Sequence, residues 1–173
     1  HVCGAHRIGH GTRLREDGDL LNYVNDHRIP LEICLTSNIQ TKAATSFEAH
    51  PLPFYLSYGL RCMLNTDNRL VTNTTMTQEY ERAVQYYDLN IGDLRKLMIY
   101  GFKSSFMPYR KKTTITAQAA REFDELVREF EERSGERAIT DPRVAQEIAI
   151  QLSSADSSRP LTEPDELLPE NDD

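Results

Sequence analysis

Two residues in this sequence combine the types that metal and proton chemistry need. His10 stands between glycines in Arg7-Ile8-Gly9-His10-Gly11, and Asp67 stands in Asn65-Thr66-Asp67-Asn68. An imidazole binds metals or moves a proton near neutral pH, and a carboxylate serves as a metal ligand or a base. Between them, Thr36-Ser37-Asn38 adds three more polar side chains. A catalytic zinc takes three protein ligands and keeps one open position. No HxxxH or HExxH helix is present, so His10 and Asp67 are at most two members of such a set. Taken singly, each motif also fits a plain structural role, a turn at His10 and a side-chain-capped loop at Asn65–Asn68. Their shared setting is what makes them informative.

That setting comes from the elements around them. Apolar residues centre the run His6–His10, and Leu31–Leu35 (LEICL) and Leu60–Leu64 (LRCML) are two further short strand candidates. Between the first two, Leu20, Leu21 and Val24 share one helical face, and Pro30 forces that helix to end near Arg28. Between the second and third, His50-Pro51 to Tyr58 fits a helix with proline in its first turn and Gly59 as its stop. Strand, helix, strand, helix, strand reads as parallel βαβ units.

Helices alone follow. Thr75 with Gln78 makes a capping box for a helix to about Asp88. Asn90 caps another, with Leu94, Leu97, Met98 and Phe102 on its buried side, ending before Pro108. A third buries Phe123, Leu126, Val127 and Phe130 and stops at Gly135. Thr140-Asp141-Pro142 can start a last short helix with Val144, Ile148 and Leu152 on one face.

Three parallel strands make an awkward fold by themselves, because such sheets need cover on both faces and partners at both edges. The fold expected is therefore α/β: the carboxyl-terminal part of a (β/α)8 barrel, with the other five strands upstream of His1. Residues 1–135 form the barrel portion, 136–152 an extra helix, and 153–173 an acidic tail expected to be disordered. In a barrel, polar groups at the carboxyl-terminal ends of the strands take the functional reading first. His10, Thr36-Ser37-Asn38 and Asn65–Asn68 all fall there.

The net charge of −7 narrows the partners once it is located. Residues 153–173 hold seven acids against Arg159 alone, which leaves the body at about −1. A nearly neutral body has no footprint for nucleic acid. No apolar run approaches the roughly 20 residues that span a bilayer. Cys3, Cys34 and Cys62 form no CxxC pair, and two of them fall in expected buried strands, which points to the reducing cytoplasm. The oligomeric state is not readable.

Arg7–Gly11 (RIGHG), Glu32–Asn38 (EICLTSN) and Leu64–Asn68 (LNTDN) occur in the order and at the spacings of adenosine deaminases, which this chain resembles over about residues 5 to 130. His50-Pro51 and Thr74–Tyr80 are similar to that family too. The resemblance implies a (β/α)8 barrel with one zinc ion, in which a zinc-bound hydroxide attacks C6 of adenosine, or of 2′-deoxyadenosine, and ammonia leaves. It implies that Asp67 is a zinc ligand that also orients the hydroxide. It further implies that His10 stands beside that hydroxide as base or electrostatic anchor, and that Asn68 contacts purine N7.

Two departures stand out. Where the family's usual motif has a second aspartate, this chain has Asn68, whose amide donates to N7 without borrowing a proton. The family's paired zinc histidines, its further histidine ligand and its glutamate acid are absent, which is read as truncation, so the fragment alone is expected neither to hold zinc well nor to deaminate. Nothing matches the HxE and PCxxC arrangement of cytidine-type deaminases. The alternatives are a deaminase of adenine or a modified adenine nucleotide, and a non-catalytic barrel relative used for binding.

Overall fold

In the computed structural model of the chain, residues 3–135 are described. Strands β1 (Ile8–Gly9), β2 (Leu31–Ile33) and β3 (Cys62–Leu64) form one parallel sheet in that order. Ile8 stands opposite Leu31, and Leu31 opposite Cys62. Two backbone bonds carry the ladder past the strand ends: His10 N–H donates to Glu32 O and Asn65 N–H to Ile33 O, both at 2.8 Å. They bring the three carboxyl-terminal ends to one edge. The outer edges of β1 and β3 have no strand beside them among the described residues.

Each strand is shorter than its apolar run predicts. LEICL stops pairing at Ile33, because Cys34 starts a helix, α2 (Leu35–Gln40). Leu35 therefore belongs to α2, and Cys34 lies at its amino-terminal boundary instead of inside a strand. Helix α1 (Gly18–Asp26) is capped by the Asp17 carboxylate, which accepts from Leu20 N–H at 3.0 Å. Leu21 and Val24 are buried on it, whereas Leu20, expected on that face, is exposed. It sits a third of a turn from Leu21, in the solvent-facing first turn. In α3 (Leu52–Tyr58) proline opens the helix and Gly59 closes it at φ 87°, as expected.

A single-turn helix, α4 (Arg69–Thr72), follows β3. Thr75 and Gln78 make the expected capping box of α5 (Met76–Tyr87), and Asn90 and Asp93 make one for α6 (Ile91–Ser104). Pro108 precedes α7 (Tyr109–Ser134), which ends at Gly135 with φ 70°. Val127 and Phe130 are buried on α7, but Leu126 is exposed, since it lies off the stripe those two define. The helix expected from Thr140 and the acidic tail lie outside the described residues.

The core runs through all three strands and their covering helices. Leu31, Ile33, Leu35, Leu52, Tyr55, Leu60, Cys62 and Leu97 are almost wholly buried. Truncating one of these leucines to alanine would cost about 2–5 kcal/mol. No helix among the described residues is long and apolar enough to cross a membrane.

Candidate active site

The site is built from the backbone outward. His10 and Asp67 both sit in the left-handed region, at φ 61° and φ 57°, where a side chain crowds its own carbonyl. Gly11 follows His10 at φ 61°, and a Cβ there would lie 3.3 Å from Leu31 Cδ2. This position therefore needs glycine on two counts. Tyr55 holds the turn in place: its hydroxyl donates to Gly11 O at 2.7 Å and accepts from Arg15 N–H at 3.2 Å. Below His10, Arg7 and Glu32 pair at 2.9 Å between β1 and β2.

These bends bring the residues expected at the rim together. His10 Nε2 lies 3.9 Å from Asp67 Oδ2. Ser37, in the first turn of α2, donates its hydroxyl to the same Oδ2 at 2.7 Å. Asp67 Oδ1 takes no hydrogen bond from the described residues, and both side chains remain about two-fifths exposed. One carboxylate oxygen is thus held and the other is open to a cation. No cluster of three His, Cys, Asp or Glu side chains is present among the described residues. The donor set suits zinc in kind but supplies only part of it.

Asn68 is exposed and caps α4: its Oδ1 accepts from Leu70 N–H at 3.1 Å and Val71 N–H at 3.3 Å. Its Nδ2 is left to donate elsewhere, so the cap and an acceptor on a ligand do not compete for one atom.

Behind the rim is a second layer that the sequence flagged only in part. Nδ1 of His10 lies 2.7 Å from one end of the Asn38 amide, and Nε2 of His50 lies 2.8 Å from the other. His50 Nδ1 accepts from Leu52 N–H at 3.1 Å, so this ring also caps α3. Asn38 and His50 are buried, and burial, with a smaller push from Arg15, lowers the His50 pKa to about 4. The sequence marks Asn38 as a rim residue, and His50 as the start of the α3 helix and part of a family motif. The link from His10 through Asn38 to His50 is visible only in three dimensions.

The turn that carries Ser37 and Asn38 is itself clamped. The buried Glu79 carboxylate on α5 accepts from Thr36 N–H at 3.2 Å, from the Thr36 hydroxyl, from Thr74 Oγ1 at 2.9 Å and from Arg82 at 3.2 Å. A buried carboxylate with this many donors holds α2 against α5. Cys34, beside that turn, has its thiol pushed up to about 12 by burial and then by the Asp67, Glu79 and Glu32 carboxylates. It is an inert thiol.

A sequence model of the adenosine deaminase family matches residues 1–121. The adenosine deaminase of Clostridium kluyveri is 40% identical over 106 residues, which is 61% of this chain and 30% of that protein. The crystal structure of an adenine deaminase from Arthrobacter aurescens superposes with a TM-score of 0.66 at 26% identity, covering 70% of this chain and 37% of that one. An apo N6-methyl-AMP deaminase from Arabidopsis thaliana gives 0.58 at 30% identity, covering 69% and 34%. The chain thus spans about a third of the length of the relatives it matches, and its three strands are part of an α/β barrel.

Proposed function

The chain belongs to the adenosine deaminase family, and on that premise we propose that the whole protein replaces the 6-amino group of adenosine by oxygen, giving inosine and ammonia. The single observation that carries this is the convergence of His10, Ser37 and Asp67 at the carboxyl-terminal edge of the parallel strands. That edge is where barrels place their chemistry.

Zinc would be held by Asp67 together with ligands that the described residues do not bring to it. When bound, it lowers the pKa of a water so that a nucleophile exists at neutral pH. The chain's own residues then position. Ser37 fixes one oxygen of Asp67 and so aims the other. His10, beside the same carboxylate, faces the water that adds to C6. Asn68 offers Nδ2–H to N7, an acceptor, while its Oδ1 stays on the α4 cap. In the balanced reaction oxygen from water becomes bound to C6, the C6–N bond breaks, and the nitrogen leaves as ammonia.

Adenine or a modified adenine nucleotide is a second reading, favoured by the adenine and N6-methyl-AMP deaminases among the similar structures. All these substrates present a purine with nitrogen on C6, so the residues named above serve each alike. A cytoplasmic setting belongs to the same proposal, in keeping with the unpaired, buried Cys34 and Cys62.

The test is to supply the whole protein and zinc with adenosine, adenine and N6-methyl-AMP in parallel and separate the products by chromatography. Inosine from adenosine as the fastest reaction supports the proposal. Faster turnover of either other substrate reassigns the specificity, and no turnover of any with zinc bound overturns the catalytic reading.

A further inference from the structure

Resting on that reading of the site, we propose that Asn38 and His50 are positioning residues that fix which nitrogen of His10 carries the proton. Hydrogen-bond direction fixes each proton in turn. His50 Nδ1 accepts the Leu52 N–H, so this nitrogen is bare. A neutral imidazole with a bare Nδ1 bears its proton on Nε2. Almost completely buried, with no carboxylate among the described residues on either ring nitrogen, His50 stays neutral.

Nε2–H of His50 therefore needs an acceptor, and the group 2.8 Å away is the Asn38 amide. With Nδ2 on that side, two donors would face one another in a buried space. A half-turn of the amide exchanges its nearly identical ends and removes the conflict. Oδ1 then accepts from His50, and Nδ2 donates to His10 Nδ1 at the other end, 2.7 Å away. His10 Nδ1 becomes an acceptor, and its proton sits on Nε2, the nitrogen that faces Asp67.

Each link forces the next, beginning at a backbone N–H in the first turn of α3. The consequence at the site is specific. His10 presents a donor to the carboxylate and to any oxygen beside it, and its neutral form has no lone pair there. Asn38 is wholly buried between the two rings, so nothing from solvent competes for either end of the amide.

The test is nitrogen NMR on the whole protein labelled with 15N-histidine, in which the two ring nitrogens of each tautomer are distinct. His10 is expected protonated on Nε2 and bare on Nδ1. His10 found protonated on Nδ1 overturns the proposal, whether or not the protein deaminates adenosine. In Asn38→Asp both ends of the side chain accept, so the His10 proton should move to Nδ1. Turnover should then fall at least about 100-fold in kcat, the scale of a lost supporting hydrogen bond, with KM little changed. An unchanged tautomer in Asn38→Asp also overturns it. Correct tautomers without turnover of any purine would instead count against the proposed function.

Discussion

Ser37 and Asp67 meet across the sheet edge, hydroxyl to carboxylate Oδ2 at 2.7 Å, from the turn after β2 to the turn after β3. One carboxylate oxygen is thereby committed to protein and the other left open. Supporting hydrogen bonds of this kind commonly contribute 10- to 100-fold to metal affinity or activity. Ser37→Ala should weaken zinc binding by the whole protein by about tenfold, read by competition with a chromogenic chelator. An unchanged affinity would show that the hydroxyl does not position Asp67.

Asn68 joins two jobs that can be separated. Its Oδ1 caps α4, and its Nδ2 takes no partner among the described residues. Asn68→Ala removes both, so it should lower stability by about 1 kcal/mol and raise KM for adenosine. Asn68→Asp keeps the cap but must borrow a proton to donate to N7, so its KM should rise as pH climbs while that of the parent stays flat. Steady-state kinetics at several pH values give the answer. Wild-type KM in Asn68→Ala would remove Asn68 from the substrate site.

His50 should give the protein an acid-sensitive stability. Burial holds its folded pKa at about 4, against about 6.5 in an unfolded chain. Below 6.5 the unfolded chain takes up a proton that the folded protein refuses, so stability falls as pH drops towards 4 and is full above 6.5. The loss over that window is about 3 kcal/mol. Urea midpoints from pH 7 to 4 should fall more steeply for the parent than for His50→Gln, which lacks the titrating ring but keeps a donor for Asn38. Parallel curves would contradict a buried neutral imidazole.

The sequence carried the architecture where local rules are strong. The Thr75–Gln78 box and the Pro51 start and Gly59 stop of α3 are written in nearby residues, and the parallel order of three strands in their alternation with helices. It carried less where an element ends by tertiary demand. Leu35 reads as strand by composition, yet Thr36 is drawn into a helical turn by Glu79, which lies far along the chain on α5. The meeting of His10 and Asp67 could be placed by the barrel rule together with the family motif. The amide of Asn38 between two histidines could not, because it depends on where α3 starts relative to β1. No local pattern encodes that distance.

The most direct measurement follows the ultraviolet change from adenosine to inosine in the whole protein with zinc, beside His10→Ala and Asp67→Asn, with bound metal assayed in each. The parent should turn over adenosine, and both variants should lose at least about 1,000-fold in kcat/KM, within the range seen when a group central to the chemistry is removed. Asp67→Asn should in addition lose zinc, while His10→Ala keeps it. Turnover persisting within about tenfold of the parent in either variant would contradict the site described above.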